Sequence, residues 1–205
     1  MRVKLLAVSD EVVSWIHSAQ LVERCGDVDV VVSCGDLPSD YLEYIVTTLG
    51  KPCFYVRGNH DQPHDHRPEG CINLDLRAQR WDRLRLAGLE GSQRYKPGAP
   101  LQYSQTDQWL RAIWLAYKLL PGQLRRGRSV DIVLSHAPLQ GIHDGSDLAH
   151  AGFAAFNWLA KRFRPRLWLH GHQHRSYSPL QPRETRFGET LVVNVHPYRV
   201  LELSL

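Results

Sequence analysis

Apolar positions along this chain recur in two periods. Over residues 2–9 they run nearly unbroken, as in a buried strand, and the pattern returns at 28–34, around Val30-Val31-Val32, and at 53–56. Between these runs the spacing lengthens to that of a helix. Val13, Ile16, Leu21 and Val22 predict a helix over 13–24 that stops near Gly26. Tyr41, Leu42, Ile45, Val46 and Leu49 share one face of a second helix, with Pro38 in its first turn and Gly50-Lys51-Pro52 as its break. Strand–helix–strand–helix–strand is the opening of an α/β layered fold with parallel strands.

After a loop crowded with Pro63, His64, His66 and Pro68 the pattern changes. Residues 71–76 and 79–89 read as short strands with hairpin geometry, and 92–101 as loop. The strongest helix covers 104–120, with capping chemistry at Ser104–Asp107 and a stop at Pro121-Gly122. Its Trp109-Trp114-Tyr117 stripe is expected to face the core, with a partner surface as the alternative. A strand at 129–135, a loop at 137–150, a helix at 151–163 and a strand at 166–170 follow, then short strands at Thr190–Val195 and Arg199–Leu203. The order predicts one α/β domain over residues 1–205, with two packed mixed sheets flanked by helices.

Five of the apolar runs end in chemistry. They deliver Asp10, Asp36, Asn59-His60-Asp61, His136 and His172-Gln173-His174. A carboxylate at the tip of so apolar a strand as that before Asp10 would be costly to bury unpaired. Two Asp, one Asn and three His form a mixed oxygen and nitrogen donor set, which suits Mn, Fe, Zn or Co better than calcium. Six donors exceed one tetrahedral zinc but can serve two divalent ions if one carboxylate bridges them.

Composition narrows the class without deciding it. The chain has 205 residues, 43% hydrophobic, and no apolar run near the roughly 18 residues that span a bilayer. The first eight residues read as a strand, not a signal peptide. Four widely spaced cysteines (Cys25, Cys34, Cys53 and Cys71) contain no Cys-x-x-Cys pair, so reduced thiols and a cytoplasmic protein are expected, with no membrane partner. Cys34, beside Asp36, reads first as a small buried thiol and second as a ligand. The net charge of +4 fits an anionic substrate. The arginines are scattered, and Arg125-Arg126-Gly127-Arg128 and Lys161-Arg162-Phe163-Arg164 look like solvated ends of elements, which leaves nucleic acid a secondary partner.

Gly35-Asp36, Gly58-Asn59-His60-Asp61, Ser135-His136-Ala137-Pro138 and Gly171-His172-Gln173-His174 resemble, in order and spacing, the blocks of the calcineurin-like metallophosphoesterases. The resemblance runs over residues 1–174 and implies a four-layer α-β-β-α sandwich that hydrolyses phosphoric mono- or diesters with a metal-bound hydroxide. It implies two divalent ions, manganese foremost, with Asp36 bridging them. Asp10 and His174 would belong to the first ion, and Asn59, His136 and His172 to the second. His60 would face the substrate phosphate and protonate the leaving oxygen, oriented by Asp61. Asn59 and His143 join His60 as expected substrate contacts, since the loop Gly141–Asp147 follows a ligand tip and is placed to wall the pocket.

One block departs from the resemblance. The family's first block reads Asp-x-His, and here it is Asp10-Glu11-Val12. Valine cannot ligate, so three outcomes stand: water fills the gap, Glu11, His64, His66 or His143 substitutes, or the first site is largely empty. The oligomeric state and the substrate are not legible. His17, His150 and His196 read as ordinary surface or core residues, and His170 as structural. Two other functions stay open: a scaffold that kept the fold and lost turnover, and a nuclease.

Overall fold

The computed structural model of the protein describes residues 2–61, 66–174 and 181–204. The first part of the chain builds one sheet. β1 (Arg2–Val8), β2 (Val30–Ser33), β3 (Cys53–Tyr55) and β4 (Cys71–Asn73) run parallel, with α1 (Gln20–Cys25) and α2 (Ser39–Leu49) in the first two crossovers. The chain then passes to a second sheet. β5 (Ala78–Trp81) and β6 (Leu84–Leu89) form an antiparallel hairpin, and β7 (Ser92–Gln93) and β8 (Gln102–Tyr103) a small parallel pair. Next come α3 (Gln105–Arg126), β9 (Ile132–Ser135), α4 (Ala154–Phe163), β10 (Leu167–His170), β11 (Glu184–Phe187) and β12 (Thr190–Asn194). Finally β13 (Tyr198–Ser204) returns to pair antiparallel with β1. The sheet orders are β13-β1-β2-β3-β4 and β11-β12-β10-β9-β6-β5.

The two sheets pack face to face through Leu5, Val32 and Phe54 on one side and Leu86, Leu134 and Leu169 on the other. The outer face of the first sheet is covered by Ile16, Leu21, Tyr41 and Ile45, and that of the second by Leu115, Leu119, Phe156 and Phe163. These are the four expected layers. Central strands are buried on both faces, which is why they read as continuous apolar runs. Each such side chain contributes roughly 1.5–3 kcal/mol of burial.

Register turns this stack into a site. Val8 lies beside Ser33, and Ser33 beside Tyr55. In the other sheet Leu134 lies beside Leu169, and His170 beside Asn194. Within each sheet these strands are parallel, so the residues that follow them emerge as neighbours.

Four expectations change. The stretches 71–76 and 79–89 do not pair as a hairpin: β4 adds parallel to β3 in the first sheet, and the hairpin forms between β5 and β6 in the second. The predicted helix at 13–24 is a turn followed by the short α1. The Ser18 hydroxyl donates to the Trp15 carbonyl and accepts the Gln20 N–H, taking groups a continuous helix would use. α3 begins with the capping box foreseen at Ser104 and Asp107 but runs through Pro121 to the left-handed Gly127. The carbonyl that Pro121 cannot satisfy belongs to Tyr117, which is exposed to water. The Trp109-Trp114-Tyr117 stripe does not form the core. Trp114 and Tyr117 are 52% and 72% exposed, while Ala112, Leu115, Ala116 and Leu119 pack inward. Only Trp109 of the stripe is partly buried, against Trp158.

Among the described residues no helix is long and apolar enough to cross a membrane. The basic clusters do end elements: Arg128 and Arg164, just beyond α3 and α4, both pair with Glu189.

Candidate metal centre

The tips of β2, β3, β9 and β10 meet around one atom, Nε2 of His136. It lies 3.1 Å from Asn59 Oδ1, 3.1 Å from His172 Nδ1 and 3.2 Å from Asp36 Oδ2. His136 is fully buried, and His172 and Asn59 nearly so. The outward nitrogens are already committed. His136 Nδ1 donates to the Cys34 carbonyl at 2.8 Å, and His172 Nε2 donates to the Ala149 carbonyl at 2.7 Å. These bonds commit the outward nitrogen of each ring and turn the other inward, the arrangement that metal-binding histidines use.

The spacing fits an ion. Two ligand atoms about 2.1 Å from a metal and at right angles to each other lie about 3 Å apart. Asp36, His136 and His172 each offer an atom, all within 4.8 Å of one another. Without an ion the cluster keeps a proton. Burial opposes charge on His136, but the Asp36 carboxylate, with help from Asp10, outweighs it and raises the imidazole to about 9. Burial likewise pushes the Asp36 carboxyl upward, but His136 holds it below its ordinary value. Burial and the neighbouring His136 lower His172 to about 4. A cation in this hub would take the place of the His136 proton.

Asp10 stands beside this group, at the tip of β1. Both its oxygens accept the His172 N–H, at 3.1 and 3.0 Å, and Ser9 donates to Oδ2. His174 Nε2 is 3.7 Å from Asp10 Oδ1. Burial pushes the Asp10 carboxyl up, but the neighbouring His174 imidazole and the His136 charge hold it well below the usual range. The same pairing with Asp10 raises His174. The His174 ring stacks on His196, centroids 4.3 Å apart. Burial, then the adjacent His174, lowers His196.

Backbone strain concentrates here. Asp10, Asp36 and His172 have φ of 66°, 56° and 67°, a conformation costly for residues with a Cβ. Two of the block glycines, Gly58 and Gly171, permit the crowding. A Cβ on Gly58 would overlap the Asp36 carboxylate and lie 2.6 Å from His136 Cε1; one on Gly171 would strike the Ser9 hydroxyl.

Other expected residues land differently. His60 is exposed at the mouth, with its backbone N–H on Asp36 Oδ1 at 2.8 Å. Asp61 is tied to backbone instead of the His60 ring: its Oδ2 accepts the N–H groups of Asp36 at 2.9 Å and Gly58 at 2.7 Å. Burial raises its carboxyl. His143 is buried, with ring nitrogens 3.0 Å from His170 Nε2 and 2.8 Å from Thr185 Oγ1. Of the stand-ins considered for position 12, His66 pairs with Glu43 at 3.0 Å and His64 lies outside the described residues. Glu11 sits 3.6 Å from His196. Cys34 contributes its carbonyl, while its thiol is buried in the core.

Two neighbours were not foreseen. Tyr95 accepts from Asn59 Nδ2 at 3.3 Å, and His196 stacks on His174. Neither lies in a sequence block, and no local periodicity marks them. A cavity of about 590 Å³ adjoins Asp36, His60 and Asp61, with Pro38, Tyr55 and Pro68 among its apolar walls.

A family model described as calcineurin-like phosphoesterase matches residues 3–176. The crystal structure of TT1561 of Thermus thermophilus covers 95% of this chain and 89% of its own, at 17% identity and a TM-score of 0.62. Another crystal structure covers 98% of this chain and 95% of its own, at 15% identity and a TM-score of 0.62. At these identities the likeness is one of fold. No curated protein matches the chain.

Proposed function

This chain belongs to the calcineurin-like phosphoesterase family, and from that premise we propose that it hydrolyses phosphoric mono- or diesters with divalent metal ions held at the strand tips. The observation that carries the reading is the convergence of Asn59 Oδ1, His172 Nδ1 and Asp36 Oδ2 on His136 Nε2 at 3.1–3.2 Å. Asp36, Asn59, His136 and His172 would hold one ion, and Asp10, His174 and a shared Asp36 a second. Bound divalent ions supply Lewis acidity: they draw charge from phosphoryl oxygens and make water a better nucleophile at neutral pH.

The chain's own groups do the rest. Asn59 and Asp36 fix the floor of the site. His60, exposed above it, reaches the phosphate and donates a proton to the departing oxygen. Asp61 positions His60 through the backbone of the Gly58–Asp61 loop. The cavity beside His60 receives the organic part of the ester against Tyr55 and Pro68.

Metal-depleted protein reloaded with Mn2+ and given p-nitrophenyl phosphate and bis-p-nitrophenyl phosphate tests the reading. His60→Ala should lose turnover and keep its metal; His136→Ala should lose both. Failure to cleave either ester with Mn, Fe, Co or Zn would sink it. A second reading, a metal-binding scaffold without turnover, is favoured by Val12, an apolar side chain 42% exposed where the family places histidine. Full metal loading with no cleavage is its signature.

A further inference from the structure

The first of the two sites lacks its usual nitrogen at Val12, and another histidine stands beside the same donors. β12 is the neighbour of β10 on the side away from β9, with His170 in register with Asn194. Two residues past that pair, beyond the ends of both strands, come His172 and His196. The segment after β12 is pinned to both adjacent tips. The Val195 N–H donates to the His170 carbonyl at 2.8 Å, and the Ser9 N–H to the Pro197 carbonyl at 3.0 Å. The His196 N–H donates to Asn194 Oδ1 at 3.1 Å.

His196 is therefore held between the block that carries Asp10 and the block that carries His174. It is 6% exposed, and its ring lies nearly parallel to that of His174, at an interplanar angle of 27°. Its Nε2 is 3.6 Å from the carboxylate of Glu11, the residue after Asp10. Asp10 in turn is 3.7 Å from His174. Two carboxylates and two imidazoles from three strand tips thus stand side by side in pairs, with no three of their donor atoms yet within 4.8 Å of one another.

We infer that His196 supplies the nitrogen ligand that Val12 cannot, so that Asp10, His174 and His196, with Glu11 at the rim, hold the first ion. The inference deepens the metal-dependent reading and rests on it. Two of the four donors have room to close on a common point. Glu11 and His174 side chains are 62% and 35% exposed, which leaves each of them space to swing toward an ion. Asp10 and His196 are the fixed members. Oxygen and imidazole donors in this ratio suit manganese, iron or zinc.

Mn2+ titration of the metal-free protein by calorimetry, with ion content measured by elemental analysis, tests this. The wild-type chain should bind two ions. His196→Ala and His196→Gln should keep the ion at Asp36, His136 and His172, and should bind the other roughly 100-fold more weakly or not at all. Thermal unfolding of the metal-free variants shows whether the fold survives. A readout on the wild-type chain needs no variant: in ring-nitrogen NMR, Zn2+ should shift the His196 Nε2 resonance together with that of His174. A His196 resonance unmoved while His174 shifts overturns the inference, as do two ions bound with unchanged affinity in both variants. A wild-type chain that binds one ion, lost on His136→Ala, overturns the inference and leaves the phosphoesterase reading intact. A chain that binds no ion sinks both.

Discussion

Asp36 and Asp61 hold each other's loops: the Asp36 N–H donates to Asp61 Oδ2 at 2.9 Å, while Asp36 Oδ1 accepts the N–H of His60, the residue before Asp61, at 2.8 Å. Asp61 also takes the Gly58 N–H at 2.7 Å, so one carboxylate oxygen clamps the tips of two strands. Asp61→Ala would orphan two part-buried donors. Bonds to a charged acceptor contribute roughly 1.5–3 kcal/mol each, so urea denaturation should show a loss of about 3 kcal/mol. Asp61→Asn, which keeps an accepting oxygen, should lose less. Unchanged stability in the alanine variant would mean that the clamp contributes nothing to the fold.

Gly58→Ala tests the crowding at the hub. The added methyl would overlap the Asp36 carboxylate and press on His136, forcing one of them out. Overpacking of this kind costs about 1–3 kcal/mol. Mn2+ affinity should fall more steeply than thermal stability, and a variant that binds Mn2+ like the wild type would show that the hub tolerates rearrangement.

The buried pair His143 and His170 sets an acid limit. Burial lowers His143 to about 4, and burial together with His143 lowers His170 to about 3. Asp144 opposes the shift on His143 without reversing it. The unfolded chain protonates its histidines near about 6.5, so between that pH and 4 it binds more protons than the fold. Stability is therefore full above 6.5, and each ring removes about 1.4 kcal/mol per unit as pH falls toward its folded value. In metal-free protein, His143→Gln should shrink the stability difference between pH 7 and pH 4.5 by about 2 kcal/mol. An unchanged difference would mean that the pair is not the titrating group.

On α3 the two faces should answer oppositely to truncation. Leu115 is fully buried, and Leu115→Ala should cost about 2–5 kcal/mol. Trp114 is half exposed, with Lys118 over its ring, and Trp114→Gln should cost about 1 kcal/mol or less. Equal losses at both positions, read from denaturation midpoints, would contradict the observed orientation of the helix.

The order of elements was legible because buried parallel strands must be continuously apolar, and because turns and caps carry their own residue types. Ser104 and Asp107 announced a helix start that the structure reproduces. The donors were legible for a related reason: a polar residue that ends an apolar run has few bland explanations. Other features had no local mark. Ser18 breaks a helix through its hydroxyl, which period counting does not register. Pro121 passes inside a helix at a turn whose abandoned carbonyl belongs to Tyr117, a residue on the exposed face.

The sequence by itself determined which residues share a face and which strand tips carry chemistry, since both follow from period and from the cost of burying polar groups. The tertiary structure alone decided which of the two apolar faces of α3 meets the second sheet, and that Asp61 binds backbone. It also decided that His143 turns to His170, and that His196 lies against His174. Each depends on contacts between residues distant in the chain, such as Ser9 with Pro197 or Val195 with His170, which follow from strand order and register and leave no trace in local spacing.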